Sequence, residues 1–281
     1  MFADDLKLYG TSDTPESRKL LQDDLCNLED WSTKWQLPFN VAKCKVLHFG
    51  PKNPHHTYKM FGRDLNSSAQ ERDLGVLFDG TLRLHSQAAA AAARGNKLLG
   101  VVRRSFASRS KASMCLLFKT LIRPHLEYAN VVWGPSFRGD QKLLERVQRR
   151  ASKLVPAIRS KPYQERLREL GLPSLSFRRI RGDMITIYQI LHGNLEVVEN
   201  LLEVSANQRT RGHSLKLNIS RARTMPRRQF LSVRAAHAWN GLPESVISAP
   251  NLTTFKSRLD SHWGNIQHLP VYANLYQSSQ V

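Results

Sequence analysis

The chain has 281 residues, 42 of them Lys or Arg against 23 Asp or Glu, for a net charge of +19. That length can bury a sizeable core and form two modest domains, and a cation surplus of this size repels itself unless a polyanion neutralises it, so nucleic acid is the expected partner. No apolar run approaches the ~20 residues that span a bilayer, and the basic-then-apolar layout of a signal peptide is missing, which argues against a membrane-embedded or secreted chain and for an intracellular one, nuclear or cytoplasmic.

The chain opens on Phe2-Ala3-Asp4-Asp5, two adjacent carboxylates behind an apolar residue. Hard cations such as Mg²⁺ take carboxylate oxygens as ligands, so the pair is a candidate metal site. Residues 1 to 12 read as a strand end and a turn. Thr14-Pro15-Glu16 then offers an N-cap followed by proline at the first helical position. Leu21, Leu25, Leu28, Trp31 and Trp35 recur at helical spacing and predict one amphipathic helix over 15–35. It ends before Pro38. A strand covers Cys44 to Phe49 and stops at Gly50-Pro51, and a probable partner hairpin joins 58–61 to 74–78. The three cysteines, Cys26, Cys44 and Cys115, are too far apart for a zinc knuckle and odd in number, so reduced and mostly buried thiols are expected.

Beyond Gly80 the pattern turns helical. Six successive alanines, Ala88 to Ala93, sit in a helix predicted over 87–102, where they serve close packing. A further helical run over 112–133 is kinked or broken at Pro124. In the helix predicted over 141–155, Leu143, Leu144, Val147, Ala151, Leu154 and Val155 fall within an arc of about 120°, while Lys142, Arg146, Arg149, Arg150 and Lys153 fall within a separate arc of about 100°. Cations gathered on one face, with Glu145 outside their arc, suit a phosphate backbone. Helices over 163–170 and 175–192 flank Gly171-Leu172-Pro173. From Val204 to Pro243 no acid occurs, while Arg209, Arg211, Lys216, Arg221, Arg223, Arg227, Arg228 and Arg234 do. Such a segment would give salt-sensitive, sequence-independent affinity. Parts of it are open to disorder, although Leu215, Leu217, Ile219, Phe230, Leu231 and Trp239 argue for partial folding. His125, His192, His213 and His237 lack metal-ligand spacing and read as packing or surface residues.

In this order and spacing, the blocks FADDLKLYG, LEDWSTKWQLPFNVAKCKVLHFG, ERDLGVLFDG, LIRPHLEYANVVWGP, LERVQRRASKLVP and YQERLRELGLPSLSFRRIRGDMITIYQILHG resemble the reverse transcriptases of non-LTR, LINE-type retrotransposons, most closely the jockey-like branch. The resemblance runs from about residue 1 to 263. It implies an α+β chain: a palm remnant of short antiparallel strands and one helix over 1–80, a helical thumb-like region over 81–205, and a basic C-terminal region over 206–281. It implies RNA-directed DNA polymerisation, a nucleotidyltransferase reaction, with Mg²⁺ as cofactor and an RNA template, a DNA primer or their duplex as partners. Asp4 would then be a metal ligand and Asp5 a second, supporting carboxylate. Lys43 would lie near the incoming triphosphate, a role that Lys45 could take instead. Gly75, in Asp73-Leu74-Gly75-Val76, would belong to a short hairpin gripping the primer backbone.

The family's first catalytic aspartate belongs to a strand before the Asp4-Asp5 hairpin, and the sequence holds no such strand. The expectation is therefore a fragment that binds nucleic acid but is catalytically incomplete, with weak Mg²⁺ binding. Two alternatives stand beside it: a non-enzymatic nucleic-acid-binding module, and a relic of an element with no function.

Overall fold

The computed structural model describes residues 5–135, 137–193, 195–197, 201–206 and 212–269. Helix and short strands combine in two compact units, Met1–Leu84 and His85–Val281.

In the first unit, α1 (Pro15–Trp35) starts where its residues dictate. The Thr14 side chain accepts the Ser17 N–H, the Ser17 hydroxyl accepts the Thr14 N–H, and Pro15 opens the first turn. Leu21 and Leu25 pack against Tyr58, Met60 and Leu65. The far end of the helix stays in solvent, with Trp31 and Trp35 at 41% and 60% exposure. The strands are β1 (Lys45–Leu47), β2 (Lys59–Met60), β3 (Arg63–Asp64), β4 (Asn66–Ser68), β5 (Gln70–Asp73) and β6 (Val76–Asp79).

Their pairing corrects the expected hairpin between 58–61 and 74–78. Each of those segments instead closes locally: β2 on β3 and β5 on β6, both antiparallel, while β1 runs parallel to β4. The reason lies in the turns. Phe61-Gly62 has φ of 49° and 66°, and Leu74-Gly75 has φ of 43° and 83°. Positive φ at both central residues is the two-residue turn whose twist matches flanking strands, and glycine in the second place makes it accessible.

The second unit begins with α2 (His85–Ser105), whose Ala88, Ala91, Ala92, Leu99 and Val102 are buried on one side. Next come α3 (Lys111–Leu117), a π-helical turn over Phe118–Ile122, α4 (Arg123–Glu127) and α5 (Asn130–Trp133). The π turn sits just before Pro124. Its Arg123 N–H reaches back to Phe118 O, so the extra residue is absorbed where proline removes a donor. After α6 (Arg138–Lys153), α7 (Tyr163–Leu170) and α8 (Leu175–Leu191), five short helices follow: α9 (Met225–Gln229), α10 (Leu231–Arg234), α11 (Ala236–Asn240), α12 (Glu244–Ile247) and α13 (Leu252–His262).

Phe177, Ile180, Met184, Ile187 and Tyr188 of α8 share one core with Leu217, Trp239, Val246, Phe255 and Trp263. The expected division at residue 206 falls between segments joined by this core. Tyr188 stacks on Phe255 at 4.3 Å and its hydroxyl donates to Ala249 O at 2.7 Å. The three cysteines are free; Cys26 is exposed, and Cys44 and Cys115 are half-buried rather than buried.

Candidate nucleic-acid interface

Lys142, Arg146, Arg149, Arg150 and Lys153 of α6 are all exposed, while Leu144, Val147 and Ala151 are buried. The two acids of α6 do not offset this cationic face. Asp140 accepts from the His85 ring at 2.6 Å. Glu145 is buried: its Oε1 accepts the Tyr163 hydroxyl at 2.5 Å and its Oε2 the Leu175 N–H at 3.1 Å. Burial pushes its carboxyl above the usual range, and that of the Tyr163 phenol upward as well. The helix thus turns its mid-helix carboxylate to the core and its cations to water.

Arg149 lies over the Tyr163 ring, 4.7 Å from the centroid, which fixes the guanidinium plane while leaving its edge donors facing outward. Arg150 donates to Asn96 Oδ1 at 3.0 Å. Because Asn96 pairs with Arg150 as His85 pairs with Asp140, α2 and α6 run side by side in the same direction.

That juxtaposition exposes a group the sequence reading left out. Arg94, Lys97, Arg103 and Arg104 of α2 are exposed, and α2 contains no Asp or Glu. Arg94, Lys97 and Arg104 share an arc of about 80°, opposite the side holding Ala91, Gly95 and Val102. The acid-free composition of 85–105 was the available signal, hidden by the alanine tract. Gly95 permits the close approach of the two helices, since a Cβ there would come within 2.8 Å of Leu126 and 3.2 Å of Val147. α2 thus adds exposed cations on the side turned away from its contact with α6.

The C-terminal basic segment divides. Arg221, Arg223, Arg227 and Arg228 are exposed, with Arg227 over the Phe230 ring at 5.2 Å and Arg228 donating to Ala222 O at 3.0 Å. Arg234 is a correction to the expectation of a phosphate-binding run. Its side chain, 8% exposed, makes a two-pronged pair with Asp183 at 2.7 and 3.0 Å and donates to the carbonyls of Gln229 and Val131. Its role there is to join α5, α8 and α10. Arg209 and Arg211 lie outside the described residues.

In the first unit, Asp5 is exposed and Asp4 lies outside the described residues. Lys43 is exposed in a turn, its N–H bonded to Asn40 O at 2.9 Å. Gly75 occupies the second place of the β5–β6 turn, and its carbonyl accepts from Arg72 at 2.9 Å, so the turn alone accounts for a glycine there. Among the described residues, no group of three or more His, Cys, Asp or Glu side chains is arranged to hold a metal ion. Nor is any helix among them long and apolar enough to cross a membrane. Comparison with protein-family models, curated proteins and solved structures finds no match to the chain.

Proposed function

We propose that the chain is a nucleic-acid-binding polypeptide of the non-LTR retrotransposon reverse transcriptase type, holding the phosphate backbone of an RNA template, a DNA primer or their duplex on α2 and α6. In polymerase terms Met1–Leu84 corresponds to palm and the helices that follow to thumb. One observation carries the reading: the five cations of α6 lie on one exposed face, while both acids of that helix are bonded elsewhere, Asp140 to His85 and Glu145 in the core. Guanidinium and ammonium groups so placed displace condensed counterions from a polyanion, and the affinity gained is independent of base sequence.

Polymerisation would draw on Asp4, Asp5, Lys43 and Mg²⁺. Of that set the described residues include Asp5 and Lys43, both exposed.

The test is a charge reversal. Changing Arg146, Arg149 and Arg150 to Glu, in a variant shown by circular dichroism to stay folded, should weaken binding to duplex and single strands alike. The log–log salt slope should fall by roughly 0.7 to 0.9 for each phosphate contact removed. Unchanged affinity and slope would reduce the α6 face to a solvated surface.

A further inference from the structure

A separate pocket of about 460 Å³ opens beside the start of α6, between α8 and the segment from Ile219 to His237. Its size falls in the ~300–1,000 Å³ range of small-molecule sites. The chemistry of its lining is lopsided: Arg138, Arg179, Arg228 and Arg234 face Asp183 as their lone carboxylate. Arg234 already holds that carboxylate. Glu145 acts electrostatically on Arg179, which also donates to Ser176 Oγ at 3.0 Å. Arg138 and Arg228 are exposed and form no ion pair among the described residues. Apolar side chains, among them Ile180, Ile219 and Met225, complete the walls.

We infer that this pocket binds an organic phosphate monoester of mononucleotide size, its phosphate gripped by Arg138 and Arg228 at the mouth and its organic part against the apolar wall. Arginine forks match phosphate oxygens in pairs, and the Arg234–Asp183 pair gives the floor a fixed polar frame instead of a competing anion. The ligand's phosphate can belong to a free nucleotide or to the end of a strand, and the chemistry is the same in both. Its observations are separate from those of the α6 face: Arg138 opens α6 about 20° outside the helix's cationic arc, and the other lining arginines lie on α8 and beyond.

Titration calorimetry of the full chain with adenosine 5′-monophosphate, adenosine and inorganic phosphate tests it. The monophosphate should bind at least about tenfold more tightly than either of the others, the scale of a charge-assisted hydrogen bond. The double substitution Arg138→Gln and Arg228→Gln should cost about tenfold or more for the monophosphate. Reversal of Arg146, Arg149 and Arg150 should weaken duplex binding and leave the monophosphate affinity unchanged. A 5′-phosphorylated trinucleotide that displaces the monophosphate, where the unphosphorylated one does not, assigns the site to strand ends; displacement by neither assigns it to free nucleotide. Absence of monophosphate binding, equal binding of adenosine or of inorganic phosphate, or an unchanged affinity in the double variant would overturn the inference.

Discussion

The polar side chains buried in the C-terminal core are satisfied to very different degrees. In the Arg234–Asp183 pair every guanidinium nitrogen and both carboxylate oxygens have a partner, and removing one side would strand a buried charge, a loss typically about 3–5 kcal/mol. His213 is otherwise. Its Nε2 meets Trp239 O at 3.0 Å, while its buried Nδ1 has no partner among the described residues. The ring must therefore be the neutral Nε2–H tautomer, and a second proton would have no acceptor. Burial accordingly holds its pKa below the usual histidine value. Since the unfolded chain takes up the proton that the folded chain refuses, stability is full above the ordinary histidine pKa of about 6.5 and falls as pH drops below it. Urea denaturation at pH 7.5 and pH 5.5 should show that loss, and His213→Gln, which can still donate to the carbonyl, should shrink it. Equal pH sensitivity in the variant would place the effect elsewhere.

At the scale of elements, α6 is instructive because its buried side is wider than its apolar stripe. Gln148 and Ser152 are buried with Glu145, and each has a partner on a neighbouring segment: Gln148 donates to Pro173 O at 2.9 Å, and Ser152 Oγ accepts from Arg166 Nε at 3.0 Å. Glu145 links three helices through Tyr163 of α7 and the first N–H of α8. Glu145→Ala would leave a buried hydroxyl and a helix-start amide unpaired, a destabilisation of about 2–4 kcal/mol, whereas Glu145→Gln should cost less by keeping one acceptor. Chemical denaturation followed by circular dichroism measures both, and equal losses for the two would deny the carboxylate this linking role.

What the sequence carried, and what it did not, follows the same division. Helix α1 was legible to its ends, because Thr14 and Pro15 define its start by purely local bonds. The separation of cations from Leu144, Val147 and Ala151 on α6 was legible too, since periodicity is a property of one helix. Illegible was whatever depends on a second element: the burial of Glu145, the pairing of Arg234 with Asp183, and the joining of α2 to α6. The hairpins were misread for another reason. Strand alternation leaves the partner open, and the Phe61-Gly62 and Leu74-Gly75 turns fix it.

Across the whole molecule the charge is unevenly divided. Met1–Leu84 holds 11 basic and 12 acidic residues and is nearly neutral. His85–Val281 has the remaining 31 and 11, a net charge of +20 that exceeds that of the whole chain. A polyanion recognised through its backbone should therefore engage the second unit, and the first should contribute little electrostatic affinity. Hydrogen exchange of the full chain, with and without an RNA–DNA duplex, separates this from a palm-like grip. Slowed exchange is expected in the second halves of α2 and α6, which carry Arg94 to Arg104 and Arg146 to Lys153, and should disappear at high salt as counterions compete. No comparable change is expected in α1 or in the β5–β6 turn around Gly75. Protection at that turn and at Lys43, with none on α6, would move the binding surface to the neutral unit. The affinity would then rest on shape and hydrogen bonding instead of charge, against the proposal made for α2 and α6.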